Sequence, residues 1–235
     1  MGITMKPQSS KAWWPFALGA LWLASVAWSI PGYGPFLPAD RVRSVLLVEG
    51  IPKADAKNGE SGSCWSVQVA EGRAATIVAR GAGGEGKAAK LTLTPGGDGK
   101  PQTFKIPEAD APVLITGVYA AELNADKKPD FIVTRSYLGC GLAADITQVM
   151  FVLSTPGGAY RLTAHDSYDW GLDDIIELGG DGMVRWVETQ LEQTEDAKGR
   201  PQTFWVHTLW RVDLQKLERE RELCRVRYWT DPTRR

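Results

Sequence analysis

The tetrapeptide Thr-Pro-Gly-Gly occurs twice, at 94–97 and 155–158, each time between two short runs of apolar and β-branched residues. Gly97-Asp98-Gly99 and Gly180-Asp181-Gly182 punctuate the chain in the same way. Gly and Asp tolerate positive φ and Pro fixes its own, so these are hairpin-type turns. Between the breakers lie eleven candidate strands: Val45–Glu49, Trp65–Ala70, Ala74–Arg80, Lys90–Thr94, Thr103–Ile106, Leu114–Leu123, Phe131–Ser136, Thr147–Ser154, Tyr160–His165, Met183–Leu191 and Phe204–Leu214. β-Branched and aromatic residues dominate them, which suits a pleated, half-buried surface. A last segment alternates, with Cys224, Val226 and Tyr228 on one face and Arg225, Arg227 and Trp229 on the other. Leu214–Leu223 carries Glu and Arg between leucines and reads as the one helix, or equally as the tip of a long hairpin. The expected fold is mainly β, with antiparallel sheets, sandwich-like or partial-propeller-like, in a single globular domain over 44–235.

The N-terminus reads as an address. Lys6 and Lys11 are its only charges before Asp40, and Ala12–Ile30 is a 19-residue stretch without a charge. A basic start, an apolar core and small residues at Ser25–Val26–Ala27 or Ala27–Trp28–Ser29 fit a secretory signal over residues 1–29. The same length also suits an uncleaved membrane anchor. Both readings export the remainder to the periplasm or the extracellular space, with Gly32–Asp40 inside a linker over 30–43. An oxidising compartment favours one disulfide among Cys64, Cys140 and Cys224, with any of three pairings open.

Charge removes some classes and localises the rest. The whole chain carries a formal net charge of −1, with no global basic excess to hold nucleic acid. Its two His cannot build a multi-histidine metal site. Residues 166–196 hold ten acids and one base, whereas residues 197–235 hold ten bases and five acids. Surface pairing between the two segments accounts for both. Within the acidic one, Asp166, Tyr168, Asp169, Trp170, Asp173 and Asp174 bring carboxylates and aromatic rings together, a combination that can bind a cation or grip a glycan by stacking and hydroxyl hydrogen bonds.

Two motifs carry ligand chemistry. Gly81–Lys87 satisfies GxGxxG and the GxxxxGK of a phosphate loop, but the run before Pro95 is too short for the helix whose free amides would meet phosphate. It reads as a glycine hairpin. Glu122-Leu-Asn124-Ala-Asp126-Lys127-Lys128-Pro129-Asp130 places oxygen donors at alternate positions between two strands, as a hard cation requires. This arrangement resembles the calcium loop of FG-GAP and VCBS-type repeats. The resemblance implies a Ca2+ held by side-chain oxygens of Glu122, Asn124, Asp126 and Asp130 and by the main-chain carbonyl of Lys128. Glu122 stands where the family has Asp, and Lys127 where it has the glycine of the sharp turn. Further on, Ser136–Ala144, Val149–Thr155, Arg200–Val206 and Tyr228–Thr230 are similar to bacterial exported proteins of unknown function that carry such a loop.

Catalytic signatures are sparse. His165 and Asp166 are neighbours on a strand and point to opposite faces; no HExxH or GxSxG occurs. The expected function is an exported binding or structural module, possessing no defined catalytic residues, whose partner is an envelope protein or a glycan. The alternative is a secreted hydrolase acting on glycans through the carboxylates of 166–174.

Overall fold

The computed structural model describes residues 37, 41–53, 62–69, 73–81, 88–97, 99–107, 113–137, 146–213 and 216–228. The apolar stretch 12–30, Cys140 and the glycine hairpin at 82–87 lie outside them. The fold is mainly β, with three five-stranded antiparallel sheets. The N-terminal sheet runs β3 (Ile51–Lys53), β4 (Gly62–Val69), β5 (Arg73–Arg80), β6 (Lys90–Thr94) and β7 (Gln102–Lys105). The central sheet runs β11 (Tyr160–Tyr168), β10 (Ile146–Ser154), β9 (Asp130–Ser136), β8 (Leu114–Ala121) and β2 (Val48–Glu49). The C-terminal sheet runs β1 (Val42–Ser44), β12 (Ile175–Leu178), β13 (Val184–Glu195), β14 (Pro201–Val212) and β15 (Leu217–Arg227).

The central sheet is the filling of a three-layer sandwich. One face packs Val118, Phe131, Val133, Met150 and Val152 against Val67, Ile77, Leu91 and Leu93 of the N-terminal sheet. The other packs Ile132, Val149, Phe151 and Leu153 against Ile175, Val184, Trp186 and Val212 of the C-terminal sheet. Both faces of β9 and β10 are therefore dry, which is why Phe131-Ile132-Val133 and Val149–Leu153 are unbroken apolar runs. A third cluster, Ile176, Val187, Leu209, Leu223 and Cys224, lies on the far side of the C-terminal sheet and is capped by Leu37.

Residues 42–53 stitch the layers together. Of the expected strand Val45–Glu49 only Val48–Glu49 is strand; with β1 before it and β3 after it, residues 42–53 form three short edge strands, β1 paired with β12, β2 with β8, and β3 with β4. Among the described residues the first strand begins at Val42, inside the segment expected to be a linker. The chain crosses from the central to the N-terminal sheet at the buried Gly50, whose N–H donates to Val118 O at 2.7 Å. A Cβ there would lie 3.2 Å from Val118 O and 3.3 Å from both Val118 Cβ and Val67 Cβ. Gly50→Ala is accordingly expected to destabilise the domain by about 1–3 kcal/mol, the ordinary cost of overpacking, read as a lowered melting temperature.

Of the two readings of 214–223, the hairpin holds and the helix does not over the described part, since Leu217–Arg227 is strand β15, paired with β14. Pairing with β14 overrides the helical composition, and two bulges, at His207/Thr208 and Leu209/Trp210, let Leu217 join the inner core while Leu223 joins the outer one. Thr-Pro-Gly-Gly at 155–158 is the β10–β11 turn, closed by Thr155 N–H to Ala159 O at 2.8 Å, with Gly158 at φ 80°. Cys64 on β4 and Cys224 on β15 are both free thiols. They sit in the two outer layers with the central sheet between them, so of the three pairings left open by the sequence the one between Cys64 and Cys224 is not made.

Candidate functional site

The loop at 122–130 leaves β8 and returns as β9. Lys127, at the position of the turn glycine in the pattern the loop resembles, takes φ 63°, and Ala125 takes 60°. Positive φ is a strained setting for non-glycine residues, and hydrogen bonds hold it. Asp126 N–H donates to Asn124 Oδ1 (3.2 Å), Lys128 N–H to Asp126 Oδ1 (2.9 Å) and Lys127 N–H to Glu122 Oε1 (2.8 Å).

Asp130, the first residue of β9, is wholly buried. Its carboxylate accepts from Leu123 N–H (2.9 Å), Ser154 N–H (2.6 Å) and Asn124 Nδ2 (3.4 Å). Burial pushes its pKa up to about 6, further raised by Asp126 and opposed by the Ser154 and Leu123 amides. Ser154, ending β10, also donates its hydroxyl to Asp126 Oδ2 at 2.7 Å and accepts Asn124 Nδ2 on its carbonyl at 2.9 Å. The Lys128 ammonium reaches Thr155 O at 3.0 Å. The oxygens are of the hard type calcium takes, yet Glu122, Asn124, Asp126 and Asp130 all accept hydrogen bonds from the loop and β10. Among the described residues no group of three or more His, Cys, Asp or Glu side chains is arranged to hold a metal ion. As arranged, the donors fit a hydrogen-bonded clasp more closely than a coordination sphere.

The residues of 166–174 separate into different environments. Asp166 lies on β11 and accepts the Tyr137 hydroxyl at 2.7 Å and Gln148 Nε2 at 3.3 Å. Gln148 in turn accepts Arg135 Nε at 2.8 Å, and the Arg135 guanidinium sits 4.5 Å over the Tyr137 ring. Burial, then Asp166, pushes the Tyr137 hydroxyl up to about 12. Tyr168 meets Trp205 edge-on, with centroids 5.0 Å apart. Trp170 packs against the inner core. Asp169, at φ 51°, and Asp173 are exposed. Asp174 is buried in a single 3-10 turn, Leu172–Asp174, where its Oδ2 accepts Gly171 N–H at 2.8 Å. Burial pushes its pKa up to about 7, and the charges of Asp169 and Asp173 add to the rise.

The acidic and basic segments meet across β13, β14 and β15. Arg225 pairs with Glu192 at 2.9 Å, Arg200 with Asp196 at 2.7 Å, and Arg185 with Glu220 at 3.0 Å and Asp181 at 2.7 Å. The exposed pairs among these contribute about 0–1 kcal/mol each.

His165 and Asp166 point apart, as strand geometry requires. The carboxylate that holds His165 is Glu188 on β13, with Nδ1 3.2 Å from Glu188 Oε1. Glu188 is 6% exposed and also accepts Trp210 Nε1 at 2.8 Å and Gln190 Nε2 at 3.3 Å. The imidazole lies edge-on to Trp210 (4.7 Å) and Trp186 (5.5 Å). Among the described residues the Trp186 Nε1 atom has no hydrogen-bond partner. Sequence reasoning missed the His165–Glu188 pair because 22 residues and a change of sheet separate its members; the available signal was Glu188, an acid inside the candidate strand 183–191.

No protein-family model matches the chain, and no curated protein or solved structure matches it.

Proposed function

We propose that the chain is an exported β-rich binding or structural module of the cell envelope or extracellular space, attached to a membrane only if residues 12–30 stay uncleaved. The observation that carries this reading is the use made of the acids in 166–174: Asp166 joins β11 to Tyr137 and Gln148, and Asp174 closes a turn on Gly171. Its partner is an envelope protein or a glycan. Pull-down with the full chain from its own cell envelope tests the reading; recovery of a saturable partner supports it, and an empty bait overturns it.

A second reading, a glycan-active hydrolase, is favoured by Asp174, since a carboxyl near pKa 7 beside two exposed carboxylates is what a general acid needs. Asp174→Asn separates the two. The folded pKa of about 7 lies above the unfolded value near 3.9, so the folded state holds a proton that the unfolded state has released between these pH values. Stability therefore falls as pH rises from about 4 to 7. In a module, Asp174→Asn removes that fall and raises stability at pH 8 by on the order of 2–4 kcal/mol, visible in denaturant curves. In a hydrolase the same change abolishes turnover of glycosides.

Calcium enters the proposal as a ligand of Glu122, Asn124, Asp126, Asp130 and the Lys128 carbonyl, in exchange for the hydrogen bonds those side chains now accept. Melting in millimolar calcium against chelator tests it. A rise of several degrees supports occupancy, and coincident curves leave the loop an internal clasp.

A further inference from the structure

We propose that the outer face of the N-terminal sheet binds a linear anionic polysaccharide, laid along the basic row Arg80–Lys90–Lys105. The inference rests on the module reading and narrows its partner to a glycan bearing acidic groups. Val67, Ile77, Leu91 and Leu93 face the central sheet, so by strand alternation Arg80, Lys90 and Lys105 face outward. The register sets them directly opposite one another on β5, β6 and β7, Arg80 against Lys90 and Lys90 against Lys105. All three are exposed, as is Lys53 on β3. Neighbouring strands lie about 4.8 Å apart, so the three positions make a row about 10 Å long.

Like charges directly opposite across strands are destabilising, and an acid at position 90 would turn both contacts favourable. The strands of this sheet instead hold five bases, Lys53, Arg73, Arg80, Lys90 and Lys105, and no Asp or Glu. Over 51–107 the chain has eight bases and five acids, against a net charge of −1 for the whole, and all five acids (55, 60, 71, 85 and 98) lie outside the strands. Arg80 engages a further group of its own, whereas no hydrogen bond or ion pair ties the Lys90 or Lys105 ammonium to another described residue. The face is therefore complementary to a polyanion. Beside the basic row runs a row of hydroxyls: Thr92 and Thr103 stand opposite each other with their Oγ1 atoms 3.0 Å apart, and Thr76 stands opposite Thr94 one row further on. Cations next to hydroxyls match a sugar acid, whose carboxylates lie next to its own hydroxyls. An anionic bilayer is also drawn to lysine, but Trp and Tyr anchor proteins at its interface. The rings of this sheet, Trp65 and Phe104, pack inward instead. Its one large exposed apolar residue, Ile51, lies on β3, the edge strand away from the row.

The test is calorimetric titration of the full chain with polygalacturonate, at low and at physiological salt, beside neutral dextran, vesicles containing anionic phospholipid, and duplex DNA. The wild type is expected to bind polygalacturonate, more weakly as salt rises, and not dextran. Lys90→Glu, at the centre of the row, is expected to weaken binding at least tenfold, about 1.4 kcal/mol, and Lys105→Ala to weaken it in the same direction. Lys198→Glu makes the same change of charge at an exposed position in the β13–β14 turn and is expected to leave the affinity unchanged. The glutamate at 90 faces Arg80 and Lys105, so its melting temperature is expected to be no lower than that of the wild type. Absence of polygalacturonate binding by folded wild type, undiminished affinity in Lys90→Glu, an equal loss in Lys198→Glu, or binding to vesicles or DNA alone would each overturn the inference. If envelope pull-down still recovers a partner in those cases, the module reading stands and only the anionic-glycan assignment fails.

Discussion

Asp130→Ala is expected to lower stability by about 3–5 kcal/mol, the largest effect of any single change in the 122–130 loop. Its carboxylate accepts two backbone N–H groups and the Asn124 amide in a site with no solvent exposure. Truncation leaves buried donors unmet at about 1–3 kcal/mol each, partly offset because the carboxylate's own burial is unfavourable, as its pKa near 6 records. For a domain of this size the loss corresponds to roughly 10–15 °C in melting temperature. Asp130→Asn is expected to fall between, because one amide face accepts a backbone N–H and the other meets one donor to donor. Amide exchange should localise the damage to the end of β10, since Ser154 is held by the same carboxylate. A melting temperature unchanged by Asp130→Ala would remove the clasp.

Glu188→Ala is expected to cost about 2–4 kcal/mol and to loosen the seam between the central and C-terminal layers. Glu188 on β13 receives Trp210 from β14 and pairs with His165 from β11, so one buried carboxylate joins two sheets. Removing it leaves the Trp210 indole N–H and the Gln190 amide without that acceptor. Glu188→Gln is expected to retain most stability, as its amide oxygen still accepts from Trp210. The measurement is chemical denaturation followed by tryptophan fluorescence, because Trp186 and Trp210 flank the imidazole and report its position. Equal stability of Glu188→Ala and wild type would show that the seam rests on apolar packing alone.

The place of the 122–130 loop in the fold is legible in the order of the residues alone. The alternation of donors in Glu122–Asp130 is local and marks a loop between two strands, and that loop lies between β8 and β9. The grouping of Asp166, Tyr168, Asp169, Trp170, Asp173 and Asp174 is legible only as adjacency. On a strand, neighbours face opposite ways, and the turn after Tyr168 sends Trp170 inward and leaves Asp169 outside. The ring that Tyr168 meets, Trp205, and the acid that holds His165, Glu188, come from other strands. Spacing along the chain carries no information about such pairs.

Turn residues, short β-branched runs and unbroken apolar segments determine by themselves a chain of antiparallel strands, because φ preference and period-two burial act over a few residues. Only the tertiary structure decided the three layers and the passage of 42–53 through all of them. It also decided between helix and hairpin at 217–223, in favour of the strand. Those outcomes depend on which edges lie free when the sheets stack. A segment's own propensity, worth at most about 0.7 kcal/mol per ordinary residue, yields to the hydrogen bonds and buried area that a waiting edge supplies.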